Sequence, residues 1–183
     1  MKVSYRDLTK EIFPHEGRLF KGVGLVKKCT VQEVHEFLDD FPNRWKWDSS
    51  NEKYAQIEVI DKEKEWDIVY TASKGWGNLI SSRDFITVRS CVKSEGRVCS
   101  VGFGLTPDLY DATEEVRSKG KEYIRGITLP CGFEMVSEEE GVRIQYCIGV
   151  KLFGWIPGYV VNTALESTCY EFFQLVRKHF EGN

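Results

Sequence analysis

The side chains best suited to acid–base, nucleophilic or metal chemistry in this chain are three histidines and six cysteines, and their spacing builds no site. His15, His35 and His179 fall one in a loop and one in each of two helical segments, with no two of them at metal-ligand spacing. His35 directly follows Val34 in an amphipathic helix and is expected on its polar side. Cys29, Cys91, Cys99, Cys131, Cys147 and Cys169 are scattered without a C-x-x-C pair, which removes zinc-knuckle and thioredoxin-like readings. They read as free, buried thiols of a reducing compartment. Gly75-Trp76-Gly77 lacks the third glycine and the following helix of a nucleotide loop, and there is no G-x-S-x-G. Asp39-Asp40 and Glu138–Glu140 read as solvated surface. The expectation is a chain without catalytic residues, cofactor or metal ligands.

Composition narrows the rest. A length of 183 residues fits one domain, residues 1–183, and an aromatic content of 13% excludes disorder. The net charge of −3 and pI near 5.7 give no general attraction to nucleic acid. No apolar run approaches the roughly 18 residues of a membrane span, and the first residues carry no secretory signature. The expectation is a cytoplasmic monomer.

The elements that must position any site are strands closed by one helix. Thr30 and Glu33 form a capping box before Val31, Val34, Phe37, Leu38 and Phe41, which share a helical face. A shorter helix is expected over about Ser4 to Phe13. Strands are predicted over Arg18–Cys29, Ala55–Ile60, Glu65–Ala72, Asp84–Val92, Arg97–Leu105 and Tyr123–Val136. The clearest runs from Val142 to Leu152, with apolar residues at every second position. Such close spacing argues for an antiparallel meander. After Pro157, Val161, Leu165, Cys169, Phe172 and Val176 mark a helix of about 24 residues, roughly 36 Å long. A curved sheet under one long amphipathic helix is a shape that can enclose an apolar cavity.

Several segments resemble a StAR-related lipid-transfer (START) domain. They are Arg44-Trp45-Lys46-Trp47-Asp48, Ile80-Ser81-Ser82-Arg83-Asp84-Phe85, Tyr123-Ile124-Arg125-Gly126 with Leu129-Pro130-Cys131-Gly132, and Gly154-Trp155-Ile156-Pro157 with Val161-Asn162. The match runs in order from about Arg18 to Phe180, and the third pair is similar to the short, stand-alone, sterol-handling branch. The resemblance implies an α+β helix-grip fold, in which a curved antiparallel sheet grips the C-terminal helix around a lipid tunnel. It implies binding and intermembrane transfer of one lipid without covalent chemistry, a sterol or sterol-like molecule first. Phospholipid, bile acid, fatty acid and carotenoid are the alternative cargoes, and a cyclase-type enzyme of the wider superfamily is the alternative class.

The same resemblance assigns residues. Arg89 stands where sterol-binding relatives place a tunnel-facing arginine, although alternation sets it beside Phe85, Thr87 and Cys91, opposite the more apolar Ile86, Val88 and Val92. Relatives pair that arginine with an acid, and the matching position here is Tyr70. Asp67 lies on the opposite face from Tyr70 of a regular strand. Thr87, Phe103, Leu105, Arg125, Tyr146, Ile148, Leu165, Cys169 and Phe172 are the further candidate lipid contacts. Trp76, Leu79 and Ile80 in the loop after the Tyr70 strand form the candidate gate, which would touch a membrane transiently.

Overall fold

The computed structural model describes residues 1–9, 17–44, 46–48, 50–77, 79–110 and 122–182. His15, Trp45, Asn78 and the end of the expected N-terminal helix lie outside the described residues. What precedes them is a strand, β1 (Lys2–Leu8), where a helix is predicted. It pairs antiparallel with β2 (Gly17–Lys27), so backbone pairing along an available edge overrides a weak helical pattern. Helix α1 (Val31–Asp39) follows, and its capping box forms as read, with Thr30 and Glu33 exchanging hydrogen bonds. A single turn, α2 (Phe41–Arg44), leads to β3 (Asn51–Asp61), β4 (Trp66–Ser73), β5 (Arg83–Ser94) and β6 (Arg97–Gly104).

The strand predicted over Tyr123–Val136 is three pieces: β7 (Ile124–Arg125), β8 (Ile127–Thr128) and β9 (Cys131–Glu138). The last predicted strand is likewise broken, at Gly149, into β10 (Gly141–Ile148) and β11 (Val150–Lys151). The order across the main sheet is β1-β2-β10-β9-β6-β5-β4-β3, antiparallel throughout, with β7 adding a short parallel pairing to β5. Helix α3 (Gly158–Glu181) has the predicted length of 24 residues and stops at Gly182, whose φ of 76° suits glycine.

Two glycines of β2 let α3 lie close to the sheet. A Cβ on Gly22 would stand 2.6 Å from the Phe173 ring, and one on Gly24 would stand 2.9 Å from it. Phe173 and Val176 then join Val26, Val142, Ile144 and Met135 in the main core, with Val34 and Leu38 of α1 closing one end. Phe37 stacks on His179 at 4.0 Å and on Trp47 at 4.4 Å, fastening α1 to the end of α3. Gly22→Ala is expected to lower stability by about 1–3 kcal/mol, because the added methyl must displace a packed ring. Urea unfolding checks this through a lower midpoint at an unchanged slope.

A smaller core lies on the outer side of the sheet. Tyr70, Ile68, Ala72 and Ile86 are buried there under Ala55, Ile57, Leu105, Tyr110 and Tyr123. The apolar run on that side of β4 and β5 is therefore covered by chain from outside the sheet, and does not face the long helix.

Candidate functional site

Between the sheet and α3 lies a cavity of about 450 Å³, within the range of small-molecule sites. A larger, more open hollow of about 750 Å³ runs over the outer sheet surface beside exposed Trp66, Val101 and Phe103. The cavity roofed by the helix is the less open of the two. Its lining along α3 runs from Val161 through Ala164, Leu165, Thr168 and Phe172 to Leu175, about 21 Å of helix at 1.5 Å per residue. Opposite, Phe133 and Tyr146 stack with centroids 5.1 Å apart, and Tyr146 approaches Phe172 at 4.3 Å. Most of this wall is hydrocarbon and aromatic carbon.

Arg89 enters the cavity wall from β5. It stands directly across from Asp67 in the β4–β5 pairing, so both side chains share a face. Arg89 Nε donates to Asp67 Oδ1 at 2.9 Å and its Nη2 to Asp67 Oδ2 at 2.6 Å. From α1, Asp39 accepts from Nη1 and, at 3.4 Å, from Nη2. Gln56 Nε2 donates to Asp67 Oδ2 at 2.6 Å, and the guanidinium carbon lies 4.8 Å from the centre of the Phe41 ring. Burial alone would lower the arginine's pKa, but the two carboxylates outweigh it and hold the guanidinium above its ordinary range. The group is thus a permanent cation inside a fork of acids.

Arg89 lines the cavity, as the resemblance implies and against its alternation, and its side chain is only 15% exposed. Its partner is the expectation that is corrected. The acid partner is Asp67, three residues before Tyr70, with Asp39 as a second. Tyr70 is buried on the other side of the sheet, away from the cavity.

A second polar cluster lines the side of the cavity. Asp48 accepts from the Tyr54 hydroxyl and from Ser50, whose backbone N lies 3.2 Å from Oδ1. Asn51 Nδ2 donates to Tyr54 Oη at 2.5 Å, and Arg44 lies 4.5 Å from the centre of the Tyr54 ring. Burial pushes the Tyr54 phenol up, so it stays a neutral donor. Burial likewise pushes the thiols of Cys131 and Cys169 up to about 12, which makes them poor nucleophiles.

At one end of the cavity the β4–β5 loop meets the segment leading into α3. Trp76 and Ile80 bridge across a tight turn, with Trp76 N donating to Ile80 O at 2.8 Å. Gly77 has a φ of 55°, and a Cβ on Gly75 would stand 2.5 Å from the Ile80 carbonyl, so both glycines are needed by the turn itself. Arg83 fastens the two sides. Its Nη1 donates to Ser81 O at 2.5 Å, and its Nε to Leu152 O at 3.0 Å. Around this clasp Leu79, Phe153, Trp155 and Tyr159 are exposed, Trp155 at 95%.

Of the sequence candidates, Thr87, Arg89, Tyr146, Ile148, Leu165, Phe172, Trp76 and Ile80 line the cavity. Five do not, besides Tyr70. Phe103 points outward and is half exposed, because it alternates with Gly102 and Ser100. Leu105 packs on the outer core. Arg125 is held by Asp84, Nε to Oδ1 at 2.9 Å. Cys169 is buried against Phe20 under the helix. Leu79 points to solvent at the rim. His35, expected on a polar face, is buried at 5% because α1 presses that side onto the sheet. Not assigned to the site from the sequence are Asp39, which reads there as solvated surface, Gln56, the Asp48–Tyr54 cluster and Arg83. They come from separate elements, and only the folded sheet joins them. The exposure of Trp155 had a signal, since it stands between Gly154 and Ile156-Pro157 at a strand-to-helix break.

Comparison with known proteins agrees with this architecture. The chain is 24% identical over 180 residues to steroidogenic acute regulatory protein, mitochondrial, of Rattus norvegicus, covering 97% of this chain and 61% of that protein. It is 26% identical over 182 residues to the same-named protein of Bos taurus, covering 96% and 60%. The chain thus spans about three fifths of the length of these relatives. The solved structure of human StAR-related lipid transfer protein 5 superposes with a TM-score of 0.81 at 22% identity, over 98% of this chain and 81% of that one. Since a family model for the START domain also matches residues 2–183, the chain belongs to the START domain family.

Proposed function

We propose that this chain carries one sterol-like lipid in the cavity beneath α3 and exchanges it between membranes. The observation that carries the reading is the hydrogen-bonded Arg89–Asp67–Asp39 group, two acids on one guanidinium, on the wall of a largely apolar hollow. Two acids against one guanidinium leave a surplus negative charge, so a carboxylate ligand such as a bile or fatty acid is repelled there. A neutral hydroxyl can donate to a carboxylate and accept from an N–H, which suits a sterol alcohol. The name of the relatives, steroidogenic acute regulatory protein, points in the same direction.

The energetics favour exchange over storage. A ligand hiding about 400–500 Å² of apolar surface gains on the order of 10–12 kcal/mol relative to water. Ordering and lost translational freedom offset much of that, and a lipid leaving a bilayer forgoes most of the rest. Opening of the Arg83 clasp then sets the rate. Organic extraction of the purified chain followed by mass spectrometry tests the reading. Sterol in near-stoichiometric amount is the expected result, and recovery of diacyl lipids in its place ends the sterol assignment.

The exposed rim is the surface through which the opening would meet a bilayer. No helix among the described residues is long and apolar enough to cross a membrane. A tryptophan exposed as Trp155 is suits the interfacial zone instead. Trp155→Ala is expected to weaken liposome binding on the order of tenfold, matching a loss of about 1.4 kcal/mol. It should slow sterol transfer equally while leaving the amount bound unchanged. Vesicle co-sedimentation and a fluorescent sterol transfer assay read the two effects separately.

A further inference from the structure

We infer that His35, Glu65 and Cys91 form a binding site for a zinc-class divalent cation, which would clamp α1 onto the β3–β4 turn. One ligand atom from each lies within 4.8 Å of the other two. Imidazole, carboxylate and thiolate together are a donor set that suits zinc. Bonds of 2.0–2.3 Å in a tetrahedron put ligand atoms roughly 3.3–3.8 Å apart, so closure needs a shift of about 1 Å, within reach of side-chain rotation. The three come from a helix, a turn and a strand, which is why no sequence spacing announces them.

The backbone already sets up two of the three. Glu65 has a φ of 50°, unusual for a residue with a Cβ, and its carbonyl accepts from Cys91 N at 3.2 Å. Its side chain thereby turns toward the sulfur. His35 and Cys91 are buried, at 5% and 7%, while Glu65 is exposed and gives a path for an ion. Burial and the Glu65 charge push the Cys91 thiol up to about 12, so the free thiol keeps its proton until a cation displaces it.

Charge balance favours a dication. Facing this point are Glu65, Lys93, whose Nζ is 2.8 Å from Glu65, and the neighbouring Asp39, Arg89 and Asp67. With the thiol protonated these carry one surplus negative charge. On binding, the Cys91 proton passes to buffer, His35 ligates as the neutral ring, and Lys93 swings off Glu65. The dication and the new thiolate then bring the cluster to neutrality. Three protein ligands leave a fourth position for water. Asp39 lies one helical turn beyond His35, so the clamp would also steady the carboxylate that caps Arg89.

Cobalt(II) added alone to the chelator-treated full chain tests this. One equivalent should produce a thiolate-to-cobalt charge-transfer band with strong tetrahedral visible bands, and one equivalent of zinc should bleach both. Cys91→Ser should abolish the charge-transfer band with an unchanged circular dichroism spectrum, while Cys29→Ser keeps it. Glu65→Gln, at an exposed side chain, should weaken cobalt binding tenfold or more. Lys93→Met, which removes the competitor for Glu65, should tighten it. No band at one equivalent, a band that survives Cys91→Ser, or full affinity in Glu65→Gln would each overturn the site. None of these readouts depends on lipid.

Discussion

Arg89→Met is expected to lower stability by about 3–5 kcal/mol, the range for removing one partner of a buried ion pair. The loss comes chiefly from Asp67, whose side chain is 6% exposed and would keep only Gln56 as its described side-chain donor. Asp39, at 34% exposed, can rehydrate and contributes less. The double variant Arg89→Met/Asp67→Leu should regain most of the stability, since it replaces both charges by hydrocarbon of similar bulk. It should not regain selectivity. In the native cavity a sterol alcohol is expected to be retained over the matching hydrocarbon without a hydroxyl, and in the double variant that preference should vanish. Urea midpoints with mass spectrometry of the retained lipid separate the two effects. A double variant that is refolded, loaded and still selective for the alcohol removes the polar anchor from the cavity wall.

Part of this site could be read from residue order alone. The capping box at Thr30 and the stripe from Val161 to Val176 are local patterns that formed their elements, and the alternation from Val142 onward formed β10 and β11 with a break at Gly149. They suffice to raise a helix over a curved sheet and so to anticipate a hollow. What residue order alone leaves open is which strand face is covered by the helix and which by outer chain. Tyr70 and Ile86 look core-facing because they are apolar, and they are buried, but under Leu105, Tyr110 and Tyr123 on the far side. Alternation by itself sets Arg89 on the less apolar face, and only the family resemblance turns it toward the cavity, where α1 and Asp67 meet it. A period of two shows that faces alternate; it carries no label for inside and outside when both faces are covered. The register Asp67↔Arg89 belongs to strand pairing, which no single segment encodes.

Ala164→Trp is expected to abolish lipid loading, by on the order of 100-fold, while changing stability by about 1 kcal/mol or less. Ala164 faces the cavity from the middle of its helical wall, between Val161 and Thr168. An indole there enters space that holds no side chain, so it displaces the guest and not a packed neighbour. Tryptophan is a somewhat poorer helix former than alanine, by a few tenths of a kcal/mol, which buried ring surface offsets. The same operation one layer away has the opposite signature. Gly22→Ala adds a single methyl where the Phe173 ring already sits 2.6 Å from the new atom, and stability falls although the cavity is untouched. The pair therefore distinguishes filled interior from hollow interior on the two sides of one helix. Extraction and mass spectrometry read the lipid, and urea unfolding reads the packing. An Ala164→Trp chain that is fully folded and carries its normal complement of sterol places the guest somewhere other than beneath α3.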